Sequence, residues 1–170
     1  MEEEISAIEM GAARFLDAEI RRLEPLPEPG HAFDARRGQY SSVEVMRSFV
    51  ASIPPGDGKV IGICDRDLFI PMLTFVFGQA QLGGRSAVVS LARLRQEFYG
   101  LPPDESVLIG RAVKEVVHEL GHTYGLVHCP DRLCSMSVST DVRQVDAKRA
   151  ELCVSCAAVL RRLTAGRGKN

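Results

Sequence analysis

The sequence predicts an α+β domain in which helices pack on a small mixed β-sheet. Two observations lead there. Apolar residues recur at three- and four-residue spacing in some stretches and gather into short β-branched runs in others, without the regular strand–helix alternation of a parallel sheet. At 170 residues, 45% hydrophobic and 25% charged, the chain has the length and apolar content of one core, so positions 1–170 are read as a single domain.

Residues 2 to about 16 carry Ile5, Ile8, Ala12, Phe15 and Leu16 at helical spacing, which predicts an amphipathic helix. Ala18 to Leu23 either extend that helix or form a strand. Pro25, Pro27, Pro29 and Gly30 then end regular structure. Ser41 or Ser42 caps a second helix that runs through Phe49 and stops before Pro54-Pro55-Gly56. Val60 to Cys64 reads as a buried strand, Thr74 to Phe77 as another candidate and Ala87 to Leu91 as a third. Pro102-Pro103-Asp104 then precede a long apolar-periodic stretch from about 105 to 124, the predicted active-site helix. The tail Gly166-Arg167-Gly168-Lys169-Asn170 is expected to fray.

That long helix ends in His118-Glu119-Leu120-Gly121-His122-Thr123-Tyr124-Gly125-Leu126-Val127-His128, the pattern H-E-x-x-H-x-x-G-x-x-H. Residues four apart lie one above the other on a helix, so His118 and His122 offer two imidazoles to one ion. A third ligand needs the helix to stop and the chain to turn. Gly125, free to adopt the left-handed conformation, permits the turn and brings round His128. Three nitrogens leave a tetrahedral zinc one open position, where water is acidified and can attack a carbonyl; Glu119 beside it is the candidate general base. The bland alternative treats these histidines as ordinary helix residues, but three of the chain's four fall between positions 118 and 128 with Glu119 and Gly125 in place.

Cys129, Cys134, Cys153 and Cys156 form a C-x4-C…C-x-x-C set, the spacing of a closed tetrahedral structural zinc that ties the chain after His128 to a C-terminal helix. Buried reduced thiols or a redox C-x-x-C are the alternatives. Cys64, alone in a strand, reads as a core residue. Two zinc ions per chain are therefore expected.

A formal net charge of −1 argues against nucleic acid or an anionic membrane as a partner, and no run approaches the ~20 apolar residues of a membrane span. Arg161, Arg162 and Arg167 read as a solvated helix face rather than a nucleic-acid contact. The opening Met1-Glu2-Glu3-Glu4 is the reverse of a signal peptide's basic start, so a cytoplasmic, monomeric protein acting on peptide is the expectation. The peptidase reading includes aminopeptidase-like action on short peptides, and its rival is a non-catalytic zinc-stabilised module that binds a peptide or partner. Glu119 speaks for chemistry, since a binder needs no carboxylate beside an open coordination position. A residue to hold a free α-amine would be Asp65, Asp67 or Glu97.

The combination of the histidine pattern, an immediate Cys129, Cys134-Ser135-Met136 and the distal Cys153-Val154-Ser155-Cys156 resembles the archaemetzincins (archaelysins). Arg37-Gly38-Gln39-Tyr40, Phe75 to Ala80 and Ala87 to Ser90 are similar too, so the likeness runs from about residue 34 onward. It implies a metzincin-like zincin fold, with an upper subdomain of about 1–125 and a small lower subdomain of about 126–170 that holds the structural zinc. It implies that Met136 is the Met-turn methionine beneath the catalytic zinc and that Phe75 to Ala80 is an edge strand binding extended peptide. It favours strand for Ala18 to Leu23. Two departures stand out: the family's opening strand has no counterpart ahead of the first helix, and none of Tyr40, Tyr99 or Tyr124 lies where some metzincins place a tyrosine after the Met-turn.

Overall fold

The computed structural model describes residues 2–16 and 19–165. Ala18, Arg167 and the whole tail from 166 to 170 lie outside the described residues. Helix α1 (Glu2–Leu16) packs on the long helix α3 (Glu105–Tyr124). Ile8 and Ala12 are buried in that contact, and Gly11 lies so close to Val113 that a Cβ there would collide with it. Glu19 to Leu23 form neither helix nor strand, which corrects the strand expected there. The Arg22 guanidinium instead reaches back to Glu9 (2.7 Å) and the Ser6 hydroxyl, holding this segment by side chains rather than by backbone pairing.

Strands β1 (Phe33–Asp34), β2 (Gln39–Ser41) and β4 (Leu68–Phe69) make one small sheet, and β3 (Val60–Cys64), β6 (Ser86–Ser90) and β5 (Gly78–Ala80) make the other in that spatial order. In the second sheet β3 runs parallel to β6 and β5 antiparallel, so the expected mixed sheet is present. Its central strand β6 is buried at every residue and sorts its side chains by the two-residue period of a strand. Val89 joins the core with Leu91, Leu94, Val116 and Leu120, while Val88 joins Met46 and Leu68 on the opposite face, under helix α2 (Ser42–Ser52). The outer strand β3 is half-buried rather than buried. Ser41 caps α2 by accepting the Glu44 N–H, as its sequence predicts.

Thr74 to Phe77 is not a strand in this sheet. The Thr74 carbonyl is taken by the Gln39 side-chain amide at 2.9 Å, and Val76 bridges Leu68 in the first sheet. Pairing with β6 begins only where Phe77 accepts the Ser90 N–H and Gly78 sits opposite Val89. The chain thus crosses from one sheet to the other between residues 76 and 78, and β5 is the free edge facing α3.

Asp104 caps α3 through the Val107 N–H at 3.0 Å. Beyond α3, short helix α4 (Val142–Ala147) and helix α5 (Val154–Ala165) complete the fold; α5 carries the exposed Arg161 and Arg162. Arg111 on α3 makes two bonds to the Asp146 carboxylate, 2.7 and 2.8 Å, and Lys114 donates to the Val145 and Asp146 carbonyls. No described helix is long and apolar enough to cross a membrane. Leu94→Ala, at a site with no exposure, is expected to cost about 2–5 kcal/mol in urea unfolding, against less than about 0.5 for Met10→Ala on the open face of α1.

Candidate functional site

The last two turns of α3 carry His118, Glu119 and His122, all facing one cleft of about 510 Å³. The His118 Nδ1–H points at the Ser135 carbonyl (2.8 Å) and that of His122 at the Leu126 carbonyl (2.7 Å). These acceptors assign the tautomer: each ring keeps its proton on Nδ1 and presents a bare Nε2 to the cleft. Gly125 ends the helix at φ 103°, with its N–H on the His122 carbonyl and the Leu126 N–H on the Gly121 carbonyl. That cap delivers His128, and ligand atoms of the three histidines lie within 4.8 Å of one another.

The two Nε2 atoms are 3.1 Å apart. Lone pairs facing each other at that distance repel, and a cation between them converts the repulsion into two bonds. Nitrogens bound at ~2.0–2.1 Å around a tetrahedral zinc lie a little over 3 Å apart, so the donor set suits zinc. Burial, then the nearby Lys148 ammonium, depresses the proton affinity of His118 well below its ordinary 6.5; burial also lowers His122. Neutral imidazole is the form a metal needs.

Three contacts define the surroundings. Met136, fully buried, sets its sulfur against the Cα of Gly121, between the two helical histidines, where any Cβ would collide. On the cleft side, Gly78 of β5 faces Glu119: a Cβ there would lie 2.6 Å from the Glu119 Oε1 and 2.7 Å from both its Cγ and the Val88 carbonyl oxygen. Gly78 does not have the positive φ that calls for glycine, so the glutamate's position is what demands it. One turn back along α3, buried Glu115 pairs with buried Lys148 at 2.8 Å, and Lys148 also donates to the Ser137 carbonyl at 3.3 Å. Burial, then the Glu115 carboxylate, raises Glu119 well above its ordinary 4.5.

The four clustered cysteines also converge, their sulfurs within 4.8 Å of one another. None forms a disulfide; Cys129 and Cys153 are 3.8 Å apart, a spacing suited to thiolates at ~2.3 Å from a shared tetrahedral zinc. Backbone N–H groups point at the sulfurs, Cys153 N to Cys134 Sγ at 3.3 Å and Cys156 N to Cys153 Sγ at 3.5 Å. The latter, at the start of α5, lowers the Cys153 thiol to about 7. Cys64 is far simpler: burial raises its thiol, and it stands free and half-buried in β3.

The structure therefore gathers His118, His122, His128 and Glu119 in one place and Cys129, Cys134, Cys153 and Cys156 in another. It does not bring Asp65, Asp67 or Glu97 to the cleft. Asp65 pairs with Arg95, Asp67 with Arg93 and Gln39, and Glu97 lines a separate hollow with Glu4 and Arg95. Sequence reasoning missed Glu115, although its place four residues before Glu119 sets both on one helical face.

A family model of peptidase family M54 matches residues 36–162. The chain belongs to this family. It is 44% identical over 128 residues to the archaemetzincin of Methanocaldococcus jannaschii, covering 75% of this chain and 69% of that one. Against the archaemetzincin of Methanopyrus kandleri it is 45% identical over 134 residues, 79% and 73% of the two chains. The crystal structure of the M. kandleri protein superimposes with a TM-score of 0.85 at 37% identity, over 96% of this chain and 87% of that one. That of Archaeoglobus fulgidus archaemetzincin gives 0.81 at 32%, over 93% and 92%. Membership makes this M54 protein a zinc metallopeptidase with the α+β fold of the archaemetzincins, acting on peptides.

Zinc analysis of protein purified without chelator should give two ions per chain, and one in each of His118→Ala and Cys153→Ser; loss of both ions in either variant would mean the sites are not independent. In thermal melts Gly78→Ala should destabilise the protein, and do so distinctly less in a Glu119→Ala background, where one of the two colliding groups is gone. Equal cost in both backgrounds would place the whole conflict at the Val88 carbonyl.

Proposed function

We propose that this M54 peptidase hydrolyses peptide bonds with Glu119 as general base, His118, His122 and His128 as ligands of a catalytic zinc, and the four cysteines as ligands of a structural one. The observation that carries the reading is the convergence of three imidazoles and one carboxylate beside a free strand edge. Zinc, when bound, supplies the Lewis acidity that polarises the scissile carbonyl and acidifies water. Glu119 takes a proton from the attacking water and returns it to the departing amine, a task suited to a carboxylate whose proton affinity burial has raised. The unpaired edge of β5 holds the substrate extended, by backbone hydrogen bonds. His118 and His122 keep their aim through the Ser135 and Leu126 carbonyls. Gly125 turns the chain toward His128, and Met136 supports the histidines from below.

No tyrosine lines the cleft, so none of the three is placed to steady an oxyanion there. Among the described residues the cleft's only carboxylate besides Glu119 is Glu115, which Lys148 already holds. That supports action on short peptides without need of a free α-amine, rather than strict aminopeptidase action. In this reading the single domain works as an upper part of about 1–125 and a lower part of about 126–170, with the cleft between them. A monomer in the cytoplasm is the proposed setting, where clustered thiols stay reduced and available to metal.

Glu119→Ala should lower turnover of a quenched fluorescent peptide by about 10²–10⁴ while leaving zinc content and peptide binding unchanged. Retained turnover would remove Glu119 from the mechanism; absence of turnover in wild type, with peptide still bound, would favour the non-catalytic module. Acetylated and free-amine versions of one peptide should be cut at similar rates, and a large preference for the free amine would restore the aminopeptidase reading.

A further inference from the structure

Gly78 marks where β5 passes the catalytic glutamate, since a Cβ on it would meet the Glu119 carboxylate. From there β5 runs alongside α3 in the same direction: four residues on, Leu82 precedes Gly83, whose N–H bonds the His122 carbonyl at 2.8 Å. Val127 leaves the same end of α3, just after the Leu126 that orients His122. Both side chains line the cleft and are more than half exposed, 62% and 64%. In the other direction, Leu73 lies upstream of Gly78, next to the Thr74 whose carbonyl the Gln39 amide holds. Val138 follows Ser137, whose carbonyl is held by the same Lys148 that pairs with Glu115. These two also line the cleft, each 52% exposed.

The cleft thus has two apolar lips, Leu82–Val127 and Leu73–Val138, one on each side of the catalytic glutamate along the strand direction. Large aliphatic side chains left in water at a binding cleft cost nothing when a partner covers them and gain roughly 25 cal/mol for each Å² buried. Among the described residues no lysine or arginine lines the cleft, and the acids that do, Glu115 and Glu119, are buried at its floor. Beside the Leu73–Val138 lip the Ser139 hydroxyl is buried and lines the cleft without a hydrogen-bond partner.

Building on Glu119 as general base, we propose that the substrate is an extended peptide segment with bulky apolar side chains on both sides of the scissile bond, one on each lip, and that segments bearing Asp or Glu at those places are rejected. The rejection follows from desolvation: a substrate carboxylate set on either lip would be covered by aliphatic side chains, with no lysine or arginine among the described lining residues to receive it.

The test uses zinc-loaded Glu119→Ala protein and fluorescence anisotropy of labelled peptides that differ only in the two residues flanking the scissile bond. A Leu-flanked peptide is expected to bind at least tenfold more tightly than an Asp-flanked one. Leu82→Ser with Val127→Ser should weaken the preference at one flank, and Leu73→Ser with Val138→Ser at the other; all four side chains are exposed, so folding should be unaffected. Equal or tighter binding of the Asp-flanked peptide, or lip variants that weaken both peptides alike, would overturn the proposal. Wild-type kcat/KM values for the same peptides separate the two readings. Cleavage without preference sinks the lips and spares the hydrolase; preference in binding with no cleavage does the reverse.

Discussion

Three imidazoles brought within reach of one point, two of them with nitrogens 3.1 Å apart, form an arrangement that gains nothing by itself without a cation. Most of the structure around α3 exists to impose it. The backbone of the helix sets His118 above His122, and two backbone carbonyls then fix how each ring is turned. Those carbonyls belong to the chain after Gly125, which contributes little apolar surface of its own: Leu126, Cys134 and Met136 are the buried members of its small core. The sulfur cluster compensates for that thinness, tying Cys129 and Cys134 to the start of α5. The Glu115–Lys148 pair does similar work, joining α3 to the Met136 turn through the Ser137 carbonyl. A buried ion pair adds little net stability, yet breaking one is costly, so its value is in holding two segments in a single relation.

How much of this the sequence discloses depends on how local each relation is. His118, Glu119, His122, Gly125 and His128 belong to one helix and its cap, so 3.6 residues per turn and one left-handed glycine fix their geometry. The cysteines are legible for a related reason, since metal-ligand spacing is set within two short turns. The long helices likewise declare themselves by periodicity and caps. Thr74 to Phe77 misled because apolar, aromatic residues look the same whether their backbone pairs with a strand or with a side chain; the Gln39 amide that takes the Thr74 carbonyl is remote in sequence. Glu19 to Leu23 misled similarly, being held by Arg22 rather than by a ladder. Helix α4 spans six residues, too few for a period to show. Lys148 carries no local mark at all: its role appears only when α3 and the Met136 turn are brought to either side of it.

Two glycines show how closely the parts fit. Gly121 makes room for the Met136 sulfur under the helix and Gly78 for the Glu119 carboxylate above it, and neither needs an unusual φ. In both cases the missing methyl group is a statement about a neighbour from another part of the chain.

Gly78 has a consequence for assembly. Strand β5 pairs with β6 through only three residues, a ladder short enough to slip. A slip of one place would set Phe77 or Gln79 opposite Val89, and a Cβ would then occupy the space of the Glu119 carboxylate. The glutamate thereby acts as a proofreading template for the sheet: of the neighbouring registers, it admits the one that also leaves a groove at the zinc.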